Sequence, residues 1–129
     1  MCSFNFDEIV TLQRQGNWQE CARRLSDIAQ KLHTAGADTL LICTNTMHIV
    51  FDEVQAAVPI LMLHIADALG AAAKTRGDKR IALLGTKFTM EQPFNKERLQ
   101  QHYGIERIIP EQADRQCIHD VIFNELCQG

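Results

Sequence analysis

An α/β architecture, a parallel sheet with flanking helices, follows from three features of this sequence. Short and almost wholly apolar runs recur along it: Thr39-Leu40-Leu41-Ile42-Cys43, Ile60-Leu61-Met62-Leu63 and Arg80-Ile81-Ala82-Leu83-Leu84. Each is followed by a segment whose apolar residues return every three or four positions, as they do on one face of a helix. Strands that alternate with helices in this way pair in parallel through crossover connections.

Taken in order, the first strong signal is an amphipathic helix over 18–32. Trp18, Cys21, Ala22, Leu25, Ile28, Ala29 and Leu32 fall on one face. Asn17 suits its N-cap, with Glu20 three positions on as in a capping box, and Gly36 suits its exit. The run 39–43 reads as a strand covered on both faces. A helix over 45–57 follows, with Met47, Val50, Phe51 and Val54 inward, and Pro59 stops it. A second strand at 60–63 ends in His64. The helix 65–76 then turns Ala66, Leu69, Ala72 and Ala73 inward and stops at Gly77. The third strand, 80–84, is broken by Gly85-Thr86, and Thr89 is expected to cap a short helical turn. A helix over 95–103 ends at Gly104, a fourth strand spans 105–109, and the tail 111–127 is helical. Its apolar face carries Cys117, Ile118, Val121, Ile122 and Leu126.

Composition narrows the functional classes. A net charge of −3 and the absence of any Lys/Arg run leave no electrostatic footprint for nucleic acid. No apolar stretch approaches the roughly 20 residues that span a bilayer. The opening Met1-Cys2-Ser3-Phe4-Asn5 lacks the basic and apolar regions of a signal peptide. A cytoplasmic protein with no membrane contact is therefore expected. The five cysteines contain no Cys-x-x-Cys pair, and the histidines show no ligand spacing. Neither a disulfide framework nor a metal site is expected.

Chemistry concentrates where strands end. Cys43-Thr44-Asn45-Thr46-Met47-His48 closes the first strand and brings a thiol, hydroxyls, an amide and an imidazole together within six positions. In an open α/β sheet this end of a strand is where ligands bind. About forty residues later, Gly85-Thr86-Lys87-Phe88-Thr89 repeats the arrangement of a strand followed by Thr-rich polar residues at a helix start. Such starts offer unpaired N–H groups and a favourable dipole to an anion. Two of them facing each other would suit a dianionic small molecule such as a dicarboxylic acid. The plainer readings stand beside this one: a threonine after a strand often serves only as a helix cap, His48 and His64 fit structural roles, and Lys87 fits a solvated charge.

These residues also carry a resemblance. The stretch 36–90 closely resembles the aspartate/glutamate racemase family, cofactor-independent amino-acid racemases. The matching pieces are Gly36-Ala37-Asp38, Cys43-Thr44-Asn45-Thr46-Met47-His48, Leu63-His64-Ile65-Ala66-Asp67, and Leu83-Leu84-Gly85-Thr86 with Thr89-Met90. Weaker likeness covers the rest. The resemblance implies two similar flavodoxin-like α/β domains and an active site in the cleft between them. There, two thiols flank the Cα of an acidic amino acid, one removing its proton and the other returning a proton to the opposite face. No cofactor is implied.

This sequence departs from the family pattern in two ways. The usual motif is Cys-Asn-Thr, one further residue, then His. Aligned on Asn45, Thr46 and His48, its cysteine slot falls on Thr44, and Cys43 stands one position earlier. The slot is filled by Thr44, with Cys43 packed behind it, or else by Cys43 through a local backbone shift. Asn45, Thr46, Thr86, Thr89 and His48 correspond to the substrate-binding set, with His48 supporting the loop. The second departure is that neither the family's opening strand with its Gly-Gly-Met-Ser turn nor its Gly-Cys-Thr-Glu motif occurs in these 129 residues. An incomplete two-domain arrangement is expected: most of a first domain at 1–77 and the first part of a second at 78–129. Weak or absent racemase activity is expected with it. The alternative is a non-catalytic carboxylate-binding or interaction module, or a gene remnant. An unpaired sheet edge would also favour a homodimer.

Overall fold

The computed structural model describes residues 1–128. Its contacts divide the chain into two compact units, one ending at His64 and the other beginning at Ile65. This boundary precedes the one expected at residue 77, because the helix that starts at Ile65 packs on a helix of the second unit.

The first unit opens with α1 (Phe6–Arg14), which the sequence reading did not anticipate. Asn5 starts it by accepting the Asp7 N–H on its side chain. The long helix α2 (Trp18–Thr34) begins where expected, and Asn17 Oδ1 accepts the Glu20 N–H at 3.2 Å. The Glu20 carboxylate is bonded to Arg23 and Arg24, both at 2.8 Å or less. Their guanidinium donors hold its pKa down at about 2, from an ordinary 4.5.

Strands β1 (Thr39–Leu41) and β2 (Leu61–Leu63) pair in parallel, with Leu40 opposite Met62 and Leu41 opposite Leu63. The helix expected over 45–57 is split. A 3₁₀ turn, Thr46–Val50, precedes α3 (Phe51–Ala56), and the break comes at Val50, whose backbone leaves the helical region at φ −106°, ψ 21°. The Gln55 side chain then ties the exit of α3 to the second strand, donating to Ile60 O and accepting from Met62 N at 3.0 and 2.8 Å.

Leu40 and Met62 bury against Cys21, Leu25 and Ala29 of α2 and against Val50, Phe51 and Val54. The expectation that these strands are covered on both faces fails. Leu41 and Leu61 are 65% and 61% exposed on the opposite face, because the helices of this unit pack on one side of its sheet.

The second unit comprises α4 (Ile65–Arg76), β3 (Arg80–Ala82), α5 (Lys87–Glu91), α6 (Pro93–Tyr103), β4 (Glu106–Ile108) and α7 (Gln112–Val121). A π-helical turn, Ile122–Leu126, follows. The strands form a second two-stranded parallel sheet, Arg80 opposite Glu106 and Ala82 opposite Ile108. Its core joins Ala66 and Ala73 of α4 to Leu99 and Ile105. The inward stripe of α4 is Ala66, Gly70 and Ala73 rather than one including Leu69 and Ala72, which are exposed. Small residues are needed there because a Cβ at Gly70 would lie 2.4 Å from Tyr103 Cδ2. An Arg98–Asp67 fork, both bonds 2.8 Å, fastens α6 to α4 beside that contact. The apolar face expected on α7 has no fully buried residue.

Candidate functional site

Within the first unit, β1 stops at Leu41, two residues short of the expected strand end. Ile42 and Cys43 leave the ladder, the chain bends at Thr44 and Asn45, and the 3₁₀ turn begins at Thr46. Cys43, Thr44 and Asn45 are exposed, whereas Thr46, Met47 and His48 are buried. The idea that Cys43 packs behind Thr44 is thereby corrected. It rested on the alternation of side chains along a strand, and that alternation ends with the ladder at Leu41. Thiol and hydroxyl are both exposed.

His48 holds this bend from beneath. Its ring is 2% exposed, and Nδ1 lies 2.8 Å from Thr44 O. A carbonyl only accepts, so Nδ1 carries the proton, and in the neutral ring Nε2 is left as the acceptor. The His48 N–H also donates to Asn45 O at 3.1 Å. His48 is thus a buried residue whose ring is bonded to the bend. Its ring stacks on Phe51 (5.8 Å between centroids, 5° between planes) and meets His64 edge-on at 4.5 Å. From α1, Gln13 Nε2 reaches Met47 Sδ at 3.1 Å and seats the turn.

In the second unit, Thr86 rather than Thr89 caps α5. Thr86 Oγ1 accepts the Thr89 N–H at 3.3 Å and lies 3.3 Å from Thr89 Oγ1. Gly85 makes room for this, since a Cβ there would meet Thr89 Cβ and Cγ2 at 3.1 Å. Lys87, read from the sequence as a solvated charge, is tied to α7. Its N–H donates to His119 Nδ1 at 3.2 Å, and its ammonium bonds Gln116 Oε1. The N–H groups of Lys87 and Thr89 are thus already engaged within the protein.

Two groups beside these turns were not assigned to the site from the sequence. His64 reads there as a structural residue at a strand end, inside one of the stretches that carry the resemblance; its contact with His48 needs the β1–β2 register. Arg107 is the one cation inside the apolar run 105–109, which was its only signal. It lies against the end of α5, with Nη1 3.3 Å from Gln92 O, while its buried Nε has no hydrogen-bond partner among the described residues. That burial pushes the Arg107 guanidinium below its ordinary pKa. Burial likewise pushes the Cys21 thiol up, and Cys21 belongs to the core. No group of three or more His, Cys, Asp or Glu among the described residues could hold a metal ion. Among the described residues no helix is long and apolar enough to cross a membrane.

Parallel strands with flanking helices in both units place the chain in the α/β class. A family model for Asp/Glu/hydantoin racemases matches residues 1–128, and the chain belongs to that family. It is similar in structure to a candidate Asp/Glu racemase from Yersinia pestis, with 46% identity and a TM-score of 0.88 over 98% of this chain. It is also similar to an aspartate racemase homologue from Pyrococcus horikoshii, with 34% identity and a TM-score of 0.81 over 99% of this chain. The chain spans 55% of the length of each.

Proposed function

We propose that the bend at 43–46 is one wall of a site that binds an acidic amino acid and moves its Cα proton without a cofactor. The observation that carries this reading is the bond from His48 Nδ1 to Thr44 O, 2.8 Å. It fixes the backbone of an exposed threonine whose neighbours are a thiol and an amide. Thr44 fills the position where the family motif carries a thiol, and Cys43 stands beside it.

The chemistry makes the two residues unequal. Removal of a proton next to a carboxylate builds negative charge, so nearby donors must stabilise it; the Asn45 amide and the Thr46 hydroxyl are the groups of this bend suited to that task. A thiolate is a competent base near neutral pH, whereas a threonine hydroxyl is far weaker on both sides of the exchange. Proton transfer through Thr44 is therefore slow and one-sided.

A second reading, a carboxylate-binding module without chemistry, is favoured by one observation. The N–H groups of Lys87 and Thr89 are already satisfied, so the second turn has less to offer an anion than its sequence suggested. The test of binding is a ¹H–¹⁵N titration with L- and D-aspartate and L- and D-glutamate, with acetate as control. Saturable shifts at Thr44, Asn45 and Thr46 that acetate does not reproduce, and that Asn45→Ala removes, support the proposed site. Shifts no larger than those with acetate contradict it.

A further inference from the structure

We propose that His64 is a positioning residue for the Thr44 bend, acting through His48. The inference rests on the proposed role of that bend, but its test reads geometry without substrate, so the two fail separately.

His64 follows directly on β2, one residue beyond Leu63. Leu63 pairs with Leu41, the last residue of β1, and Cys43 and Thr44 follow two and three positions later. The parallel register therefore sets His64 beside the start of the bend. Its ring is 4% exposed and stands at 60° to the His48 ring, with centroids 4.5 Å apart. Phe51 closes the third side of a triangle, 4.7 Å from His64 and 5.8 Å from His48.

Edge-on aromatic contacts of this kind set the angle of a ring as well as its depth. The angle matters here because the His48 bond to Thr44 O requires the ring plane to aim Nδ1 at the carbonyl. Rotation about the His48 Cβ–Cγ bond would swing Nδ1 away from the carbonyl. The parallel Phe51 ring and the tilted, nearer His64 ring both lie against the imidazole and oppose that rotation. Two strand ends are thus joined through two imidazoles to one carbonyl.

The test is residue-resolved amide hydrogen exchange on the full chain, with native secondary structure checked by circular dichroism. Local opening sets such rates. His64→Ala should raise exchange at Thr46–Val50 about tenfold while leaving α2 and α6 within about twofold of the parent. His64→Phe keeps a tilted ring and should stay within about twofold of the parent, whereas His48→Phe, which loses Nδ1, should match His64→Ala. Because His64 acts through His48, His64→Ala added to His48→Phe should change the rates less than about twofold.

Unchanged exchange at Thr46–Val50 in a folded His64→Ala overturns the proposal. So does an equal rise across α2, or a full additional tenfold rise in the double variant. Should His64→Ala fail to fold, the phenylalanine variants decide: His64→Phe as labile as His48→Phe overturns the proposal, and a parent-like His64→Phe beside a labile His48→Phe upholds it.

Discussion

Replacing Gly70 by alanine should destabilise the second unit, although alanine is the better helix former. Gly70 is buried in the interior of α4, where an exposed glycine-to-alanine change would gain about 1 kcal/mol of helix propensity. Against that gain, the new Cβ would lie 2.4, 2.5 and 2.8 Å from three ring carbons of Tyr103. All three distances are closer than carbon atoms pack, and the ring cannot yield one atom at a time. It must swing away from Leu99 and Ile105 or push α4 off α6, an overpacking cost of about 1–3 kcal/mol. The net loss is about 1 kcal/mol, which lowers a urea midpoint by about 0.5–1 M for a chain of this size. Urea unfolding followed by circular dichroism measures it. In a Tyr103→Ala background the obstruction is gone, and the same change should raise the midpoint by a similar amount. A raised midpoint in the native background, or an unchanged loss without Tyr103, would refute the reasoning.

Leu99→Ala, at a side chain 1% exposed in the same core, should cost about 2–5 kcal/mol in urea unfolding; a loss below 1 kcal/mol would mean that α6 is not packed as described. Asn17→Ala removes the acceptor of the Glu20 N–H and should cost about 1 kcal/mol, a loss that Asn17→Ser largely restores. Glu20 has a folded pKa of about 2, below its ordinary 4.5. Its pairing therefore stabilises fully above pH 4.5 and is lost as pH falls from there toward 2. The stability gap between parent and Glu20→Gln should accordingly narrow across that window in thermal unfolding, and a gap independent of pH would contradict the assignment.

Much of the fold was legible because its signals are local. The helix 65–76 has the bounds read from sequence, since a strand-ending His64 and Gly77 bracket it. Asn17 and the period of seven apolar residues made α2 equally plain. What failed depended on partners. Apolar residues continue through Ile42, Leu83 and Leu84, yet the ladder lasts only as long as the opposite strand, so all four strands were read too long. Thr86 and Thr89 stand three apart, and either could serve as a cap until the path of Leu84-Gly85 is known. The strand-end residues stood out in the sequence as a group, but which of them are surface and which are core followed from where β1 stops. The His48–His64 contact depends on register and could not be read from residues 16 positions apart.

Deuterium incorporation at Cα, followed by proton NMR in deuterated water with each enantiomer of aspartate and glutamate, tests the central claim most directly. The claim is that Thr44, in the bend that follows β1, moves the Cα proton of an acidic amino acid. It predicts slow incorporation into at least one enantiomer, without multiple-turnover racemisation by this 129-residue chain, and abolished by Thr44→Ala with folding intact. Incorporation that persists in Thr44→Ala, or none with any of the four substrates, would contradict it.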